Sequence, residues 1–150
     1  MKRALLLAIL LVAVPALALA SSPTVQETIG VVRNSSGTAA VTRGGLDLPV
    51  SAGTKLLVDD ILHTGVDGSI GVILRDNSTI SIGPGSRLVL RKFLFSPSEG
   101  KFGMLVRISR GTMAYISGLI GKLSPESVRF ETPVATIGIR GTRFAVKVDE

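Results

Sequence analysis

The 150-residue chain contains no cysteine, and only 4% of its residues are aromatic, whereas 45% are hydrophobic. The lack of cysteine excludes disulfide bonds and thiolate metal sites, so a packed core and backbone hydrogen bonds must stabilise the fold. The formal net charge of +6 attracts anions, but so few aromatic rings disfavour a stacking surface for single strands, and we expect no nucleic-acid partner.

Residues 1–20 have the three parts of an export signal. Lys2 and Arg3 are basic, an apolar run extends from Ala4 to Val14, and Ala18-Leu-Ala20 is a small-x-small cleavage site. The apolar run is short for a membrane span, although an uncleaved anchor is the alternative. We predict cleavage after Ala20 and a periplasmic or secreted product. Its net charge would be +4, because the signal carries two of the 17 basic residues against 11 acidic ones.

Residues 21–27 are polar and contain a proline, which predicts a flexible leader. The remainder, residues 28–150, has short apolar–polar alternations separated by turns, the pattern of a single all-β domain. No helical period of useful length follows Gly30, so we expect no helix. The strands predicted from this alternation include Thr28 to Arg33, ending at a turn over Asn34 to Gly37, then Thr38 to Arg43, Arg87 to Phe95 and Ser127 to Glu131.

The centre of the chain has the clearest strand pattern. Apolar residues alternate on both sides of the polar turn Arg75-Asp-Asn-Ser78, which predicts a hairpin. The apolar face consists of Ile70, Val72, Leu74, Ile80 and Ile82. A polar loop, Ser96 to Lys101, is the best candidate for a mobile or partner-contacting tip.

The C-terminal segment contains a change of side-chain parity. Ile137 and Ile139 are apolar at odd positions, whereas Phe144, Val146 and Val148 are apolar at even positions. Since strand side chains alternate with a period of two, both sets can face one core only if the backbone bulges or bends between them. We predict that Gly141 provides this bend with a positive φ, and that a β-branched residue there would also clash.

The same segment, Thr132-Pro-Val-Ala-Thr-Ile-Gly-Ile-Arg-Gly-Thr-Arg-Phe144, resembles the closing motif of the FecR domain. Earlier blocks agree in order and spacing, so the resemblance covers roughly residues 28–148. These blocks are Gly53 to Asp60, Leu62-His-Thr64 and Leu74 to Leu88. The motif residues, which we expect to be structural, are Gly53, Asp60, Thr64, Pro133, Arg140, Gly141, Thr142 and Phe144.

Asp59 and Asn77 stand where the family favours glycine. If the position of Asp59 needs the left-handed backbone conformation, aspartate is among the few residues that tolerate it, so we expect that turn to persist. Arg110-Gly-Thr-Met-Ala114 also resembles Arg140-Gly-Thr-Arg-Phe-Ala145, 30 residues later. This similarity and the family resemblance favour short stacked strands in a solenoid-like β-roll, with a two-sheet β-sandwich as the alternative.

No catalytic or metal-binding arrangement is evident. His63 has no predicted nucleophile or orienting acid, and we interpret it as a surface or turn residue. Asp59 and Asp60 are adjacent on an extended segment and point to opposite faces, so turn capping is more plausible than calcium binding. We therefore expect no enzymatic activity and no cofactor.

Basic residues alternate with apolar ones in the C-terminal half. They form either the solvated face of strands or a surface for an anionic partner, and we take Arg129, Arg143 and Lys147 as candidate partner-binding residues. Arg140 lies at the parity change, where we expect it to bond to a carbonyl or carboxylate. The basic residues in question are Arg87, Arg91, Arg107, Arg129, Arg143 and Lys147.

The resemblance implies a bacterial envelope protein related to regulators of iron-siderophore uptake. In those regulators a cytoplasmic segment binds a sigma factor, and the FecR domain receives a signal from an outer-membrane receptor. The present sequence lacks that cytoplasmic segment, which favours a non-enzymatic binding or signalling module with an envelope protein as partner. The alternative is a structural envelope domain that binds acidic wall or surface polymer.

Overall fold

The computed structural model describes residues 20–141 and 143–149. Residues 1–19 of the predicted signal peptide lie outside this part, so its cleavage stays a prediction. The leader is exposed from Ser21 to Glu27, and the core begins at Ile29, which is buried. Glu27 forms an ion pair with Arg75, so the end of the leader contacts the domain.

The described residues are mostly strand, which confirms the prediction of an all-β fold. The twelve strands are β1 (Gly30–Ser36), β2 (Ala39–Arg43), β3 (Leu46–Pro49), β4 (Lys55–Leu56), β5 (Ile61–Thr64), β6 (Ser69–Leu74), β7 (Thr79–Ile82), β8 (Arg87–Ser96), β9 (Lys101–Ile116), β10 (Val128–Glu131), β11 (Thr136–Gly138) and β12 (Arg143–Val148). The choice between a solenoid-like β-roll and a two-sheet sandwich stays a prediction.

The expectation that no helix is present is wrong at one place. In the part of the chain that the structure describes, one short helix, α1 (Leu119–Leu123), follows β9, and two short 3-10 turns occupy Pro97–Glu99 and Pro125–Ser127. The N–H groups of Leu119 and Ile120 donate to the backbone and side-chain oxygens of Asp76, at 2.7 and 3.2 Å. Five residues are too few for a helical period, so these distant contacts could not be inferred from the sequence.

The longest strand, β9, divides the sheet into two halves. Its first part pairs with β8 and β10, and its last part pairs with β7 and β12. Half A has the order β4-β1-β6-β7-β9-β12, and half B has the order β3-β2-β5-β8-β9-β10-β11. Among the described strands, only β9 and β10 pair in parallel; the others pair antiparallel.

Strand β9 passes from half B to half A at Gly111. Its buried side chains are even-numbered before this residue and odd-numbered after it: Met104, Val106, Ile108, Met113 and Tyr115. Gly111 has a φ of +90°, and an added Cβ would lie 2.6 Å from Cβ of Ser86. The glycine therefore lets the strand turn a corner while its apolar side chains stay on one core.

Both halves contribute to a single hydrophobic core, around which the sheet curls. The fully buried side chains come from half A, such as Val32 and Ile80, and from half B, such as Leu62 and Leu88. Fully burying one such side chain contributes about 1.5–3 kcal/mol. Because the chain has no disulfide bond, this core and the strand ladder carry the stability.

The central hairpin is confirmed in its register. Ile70 lies opposite Ile82, and Val72 lies opposite Ile80. Asp59 and Asn77 have φ values of +68° and +66°, so both turns take the left-handed conformation expected where the family favours glycine. The turn predicted over Asn34 to Gly37 starts too early, because β1 continues to Ser36 after an irregularity between Val32 and Asn34, and the chain bends at Gly37, which has a φ of +59°.

Candidate functional site

The closing motif forms the last hairpin, a corner and the last strand. Pro133 lies in the exposed turn between β10 and β11, where Thr132 N–H donates to the carbonyl of Ala135 at 2.8 Å. Arg140 and Gly141 then connect β11 of half B to β12 of half A. The closing motif therefore contributes one edge strand to each half of the sheet, β11 to half B and β12 to half A. Thr142 lies outside the described residues.

The corner at Gly141 confirms the inferred bend, with a φ of +123°. The apolar side chains on both sides of it pack against the same core: Ile137, Ile139, Phe144, Val146 and Val148. An added Cβ at Gly141 would meet no atom within 4 Å, so the expected clash is wrong and only the backbone strain remains.

Strands β11 and β12 leave backbone edges open. Within the described residues, each pairs on one side only, β11 with β10 and β12 with β9. The bond from Thr132 to Ala135 sets the alternation of the antiparallel ladder, so Ile137 exchanges hydrogen bonds with β10. Thr136 and Gly138 consequently direct their backbone N–H and C=O groups to the free edge.

Four crevices adjoin these two strands. One of about 230 Å³ lies between β11 and β12, and one of about 470 Å³ lies against β12 and its neighbours β9 and β7. Another, of about 510 Å³, extends from the Arg140–Gly141 corner to α1, with Lys122 and Glu126 in its lining. The fourth, of about 330 Å³, lies between the Pro125–Ser127 turn and β11. The open edges are thus bordered by concave surface.

Three aromatic rings join the closing motif to the core. Tyr115 and Phe130 are buried with ring centroids 4.8 Å apart, and Phe144 lies 4.7 Å from Phe130 and 5.6 Å from Tyr115. Edge-on and tilted contacts of this kind are favourable. Burial raises the pKa of the Tyr115 hydroxyl above its ordinary value, and a hydrogen bond with Ser78 opposes part of this shift. This cluster fixes the base of β12.

Arg140 is exposed and lines both the crevice between β11 and β12 and the one beside α1. Within residues 20–141 and 143–149 it has no hydrogen bond or ion pair, so the expected carbonyl or carboxylate partner is not found there. A guanidinium group in this position is available to a bound molecule.

The structure separates the three candidate partner-binding residues. Arg143 and Lys147 are exposed on β12 in half A, and Lys147 forms a 3.4 Å ion pair with Asp149. Arg129 is exposed on β10, in half B, opposite Gly138 of β11. The first two therefore belong to one edge, and Arg129 belongs to another surface.

Asp60 and Gly53 hold the region that precedes β5. The Asp60 carboxylate is buried, receives two bonds from the Arg43 guanidinium at 2.8 and 2.6 Å, and accepts the N–H of Leu57 at 2.8 Å. The hydrogen bonds with Asp60 raise the pKa of the Arg43 guanidinium above its ordinary value. Gly53 has a φ of +92°, and its N–H donates to the backbone carbonyl of Val32 at 2.7 Å. Arg43, the ion-pair partner, was not singled out from the sequence.

Thr64 belongs to a buried network beneath the Gly111 corner. Its hydroxyl donates to the carbonyl of Gly83 at 2.7 Å and accepts the N–H of Ser86 at 2.9 Å. The Ser86 hydroxyl accepts the N–H of Thr112 at 3.0 Å. Ser86 and Thr112 were missed, although Arg110-Gly-Thr112 had been noted as a repeat of the closing motif. The network ties β5, the β7–β8 turn and β9 together.

His63 lies near one acid. Its Nε2 atom is 3.4 Å from the Asp47 carboxylate, which also accepts a bond from Thr42, and these contacts lower the pKa of Asp47. Asp59 forms a 3.6 Å ion pair with Arg91 instead of joining Asp60 in a cation site. The described residues contain no cluster of three or more histidine and acidic side chains that could hold a metal ion.

Comparison with known protein families identifies the family of this chain. The family model described as FecR protein matches residues 60–150, which is more than half of the chain. The chain belongs to the FecR family. This match covers Asp60, Thr64 and the whole closing motif, and confirms the family resemblance over these residues, whereas Gly53 lies before the matched range. No curated protein matches the chain significantly, and no solved structure does.

Membership of the FecR family suggests a bacterial envelope domain related to signalling regulators. In the described part of this FecR chain, no helix is long and apolar enough to span a membrane. The open strand edges at the FecR closing motif are the candidate binding surface.

Proposed function

We propose that this FecR protein is an exported, non-enzymatic module of the bacterial envelope, periplasmic or secreted, that binds an extended segment of a protein partner at the free edges of β11 and β12. An envelope signalling protein, such as an outer-membrane receptor, is the kind of partner that the family suggests. In this proposal the domain is a solenoid-like β-roll, with the two-sheet sandwich as the alternative.

One observation carries the proposal: each half of the sheet has a strand of the closing motif whose outer backbone edge pairs with no other described strand, and both strands border one crevice. An added strand would satisfy these edge groups by main-chain hydrogen bonds, and its alternate side chains would enter the adjoining crevices. Arg143 and Lys147 on β12 favour acidic residues in the added strand.

A proline on β11 tests this mode of binding. Thr136→Pro removes an N–H that faces the free edge and leaves the β10–β11 bonds intact, since proline is tolerated at the outward positions of edge strands. Thr136→Ala is the matched control. The wild-type protein and Thr136→Ala should retain one envelope protein in stoichiometric amount on an affinity column, and Thr136→Pro should lose it while keeping the wild-type circular dichroism spectrum.

Equal retention by Thr136→Pro would contradict binding at β11. The same comparison with Arg143→Glu and Lys147→Glu addresses β12, where charge reversal should repel an acidic strand. If neither set of variants affects retention, the partner does not use the free edges.

A structural envelope domain that binds acidic wall or surface polymer is the second candidate. The observation that favours it is a group of basic residues on the outer face of half B, away from β12, that form no ion pair with other described residues. Because β8 and the first part of β9 lie away from both free edges, single substitutions on these two strands distinguish the functions.

A further inference from the structure

The outer face of half B contains three basic side chains in a compact arrangement. Strands β8, β9 and β10 lie side by side there. Lys92 and Arg129 lie on either side of Leu105 in one row across the strands, and Arg107 lies in the next row between Val89 and Glu131. Diagonal neighbours in a sheet are about 7–8 Å apart, so Arg107 lies within that reach of both other cations.

These three residues, which we call the basic face, are exposed and have no ion pair in the described part of the chain. Other cations of the domain do have such partners, for example Lys101 with Glu99 at 3.2 Å. The acidic residue beside Arg107 is Glu131, which forms no ion pair within 4 Å among the described residues. The positive charge of this face is therefore largely uncompensated.

The backbone beneath the basic face belongs to paired strands. Arg107 and Arg129 lie on strands that pair on both sides, Lys92 pairs with Leu105 of β9 directly after an irregularity in β8, and the apolar neighbours Val89 and Leu105 are half-buried in the sheet. An added Cβ at Gly103 would lie 2.8 Å from Cε of Lys92, so the Lys92 stem lies across this glycine. Placement on paired strands fixes the spacing of the three charges without the ordering cost of a loop.

The surroundings determine the class of anion. No aromatic ring lies among the three basic residues in their rows, so sugar rings have no stacking partner there. The half-buried apolar residues offer no group to insert into a bilayer. What remains is electrostatic attraction to several negative charges at once, at regular spacing.

We propose that the basic face binds a linear polymer that carries phosphate or carboxylate groups at repeated intervals, as acidic wall and surface polymers do. The ligand lies across β8, β9 and β10, and Arg107 contacts it at the centre. This inference deepens the second candidate function and does not depend on binding of a protein segment at β11 or β12.

Two probes test it: immobilised linear polyphosphate and immobilised polygalacturonate, with neutral dextran as control. The domain should bind both acidic chains and not dextran, and the logarithm of affinity should fall with the logarithm of salt concentration with a slope of roughly −2 to −3, for three neutralised charges. Arg107→Ala should weaken binding about fivefold and reduce the slope by about one. Lys101→Ala, which removes the same charge at the start of β9, where Lys101 is paired with Glu99, should have little effect.

A gain of affinity separates the proposal from misfolding. Glu131→Gln removes the carboxylate opposite Arg107 and should strengthen binding several-fold. Thr136→Pro, at the β11 edge, should leave polymer binding unchanged. Equal weakening by Lys101→Ala and Arg107→Ala would mean that net charge alone drives association and would overturn the proposal. Binding to phosphatidylglycerol vesicles but to neither polymer would overturn it too, in favour of a membrane surface.

Discussion

The two Arg-Gly-Thr corners allow a matched test of how this sheet changes direction. Gly111 and Gly141 have positive φ values of +90° and +123°, and each lies where the chain passes from half B to half A. An added Cβ at Gly111 would lie 2.5–2.6 Å from Cα and Cβ of Ser86, whereas at Gly141 it would meet open space. Alanine therefore causes backbone strain at both positions but overlap at only one.

The expected magnitudes follow from these two effects. A non-glycine residue in a sparsely populated backbone conformation costs about 1–3 kcal/mol, which we expect for Gly141→Ala. Overpacking against Ser86 adds about 1–3 kcal/mol, so Gly111→Ala should cost about 2–6 kcal/mol in total. The overlap also threatens the bond from Thr112 N–H to the Ser86 hydroxyl, which joins β9 to the β7–β8 turn.

Urea denaturation followed by far-ultraviolet circular dichroism measures both variants against the wild-type protein. Gly111→Ala should have the lower midpoint, with an unchanged dependence of the unfolding free energy on urea for both variants. Equal losses of stability would refute the argument, because they would show that contact with Ser86 does not restrict the Gly111 corner. Wild-type stability in both variants would mean that neither corner needs a glycine.

Three further predictions concern the half-buried ion pair of Asp60 and Arg43, the tyrosine and export. Asp60→Ala should cost about 1.5–3 kcal/mol in a denaturation experiment, because it removes the charge-assisted hydrogen bonds with Arg43 and leaves the N–H of Leu57 without its acceptor, whereas the exposed Arg143→Ala should stay within about 0.5 kcal/mol of wild type. Since burial raises the pKa of Tyr115, the only tyrosine, its absorbance at alkaline pH should titrate above the ordinary value of about 10 until the domain unfolds. The unfolded chain releases this proton first, so stability should fall as pH rises above about 10, and titration at the ordinary value in the folded domain would contradict burial. The intact mass of the exported protein should correspond to a chain that begins at Ser21, whereas recovery of the full-length chain in the inner membrane would favour an anchor.

Local patterns in the sequence predicted the elements that local pairing determines. The β6–β7 hairpin was found because its strands alternate on both sides of a polar turn, and the structure pairs Ile70 with Ile82 as that alternation requires. The bend at Gly141 followed from side-chain parity, since both apolar sets must face one core.

Contacts between distant residues could not be predicted in the same way. The corner at Gly111 obeys the same parity rule, but it lies within the continuous strand β9, with no turn residues to separate two strands. The repeated Arg-Gly-Thr was therefore interpreted as a structural repeat and not as a corner. The parallel pairing of β9 with β10 leaves no local mark in either strand. Helix α1 depends on Asp76, more than forty residues earlier, for its first hydrogen bonds.

For the candidate binding surfaces, too, the sequence predicted local features but not the arrangement of distant residues. Alternation identified Arg129, Arg143 and Lys147 as outward-facing, which agrees with their exposure. It could not show that Arg129 lies in half B while the other two lie in half A, because the strand order decides this. The sequence also could not predict that β11 and β12 each have a backbone edge without a described partner strand, because the order of strands in the sheet decides which strands lie at its edges.

Site-specific photo-cross-linking in cells tests most directly whether the free edges bind a protein segment. A photoreactive residue replaces Arg143 on β12 in one variant and Lys101, at the opposite end of β9, in another. We predict one cross-linked product of defined mass from position 143 and none from position 101. No product at 143, or the same products from both positions, would contradict the proposal that this FecR protein binds its partner at the edge formed by the closing motif.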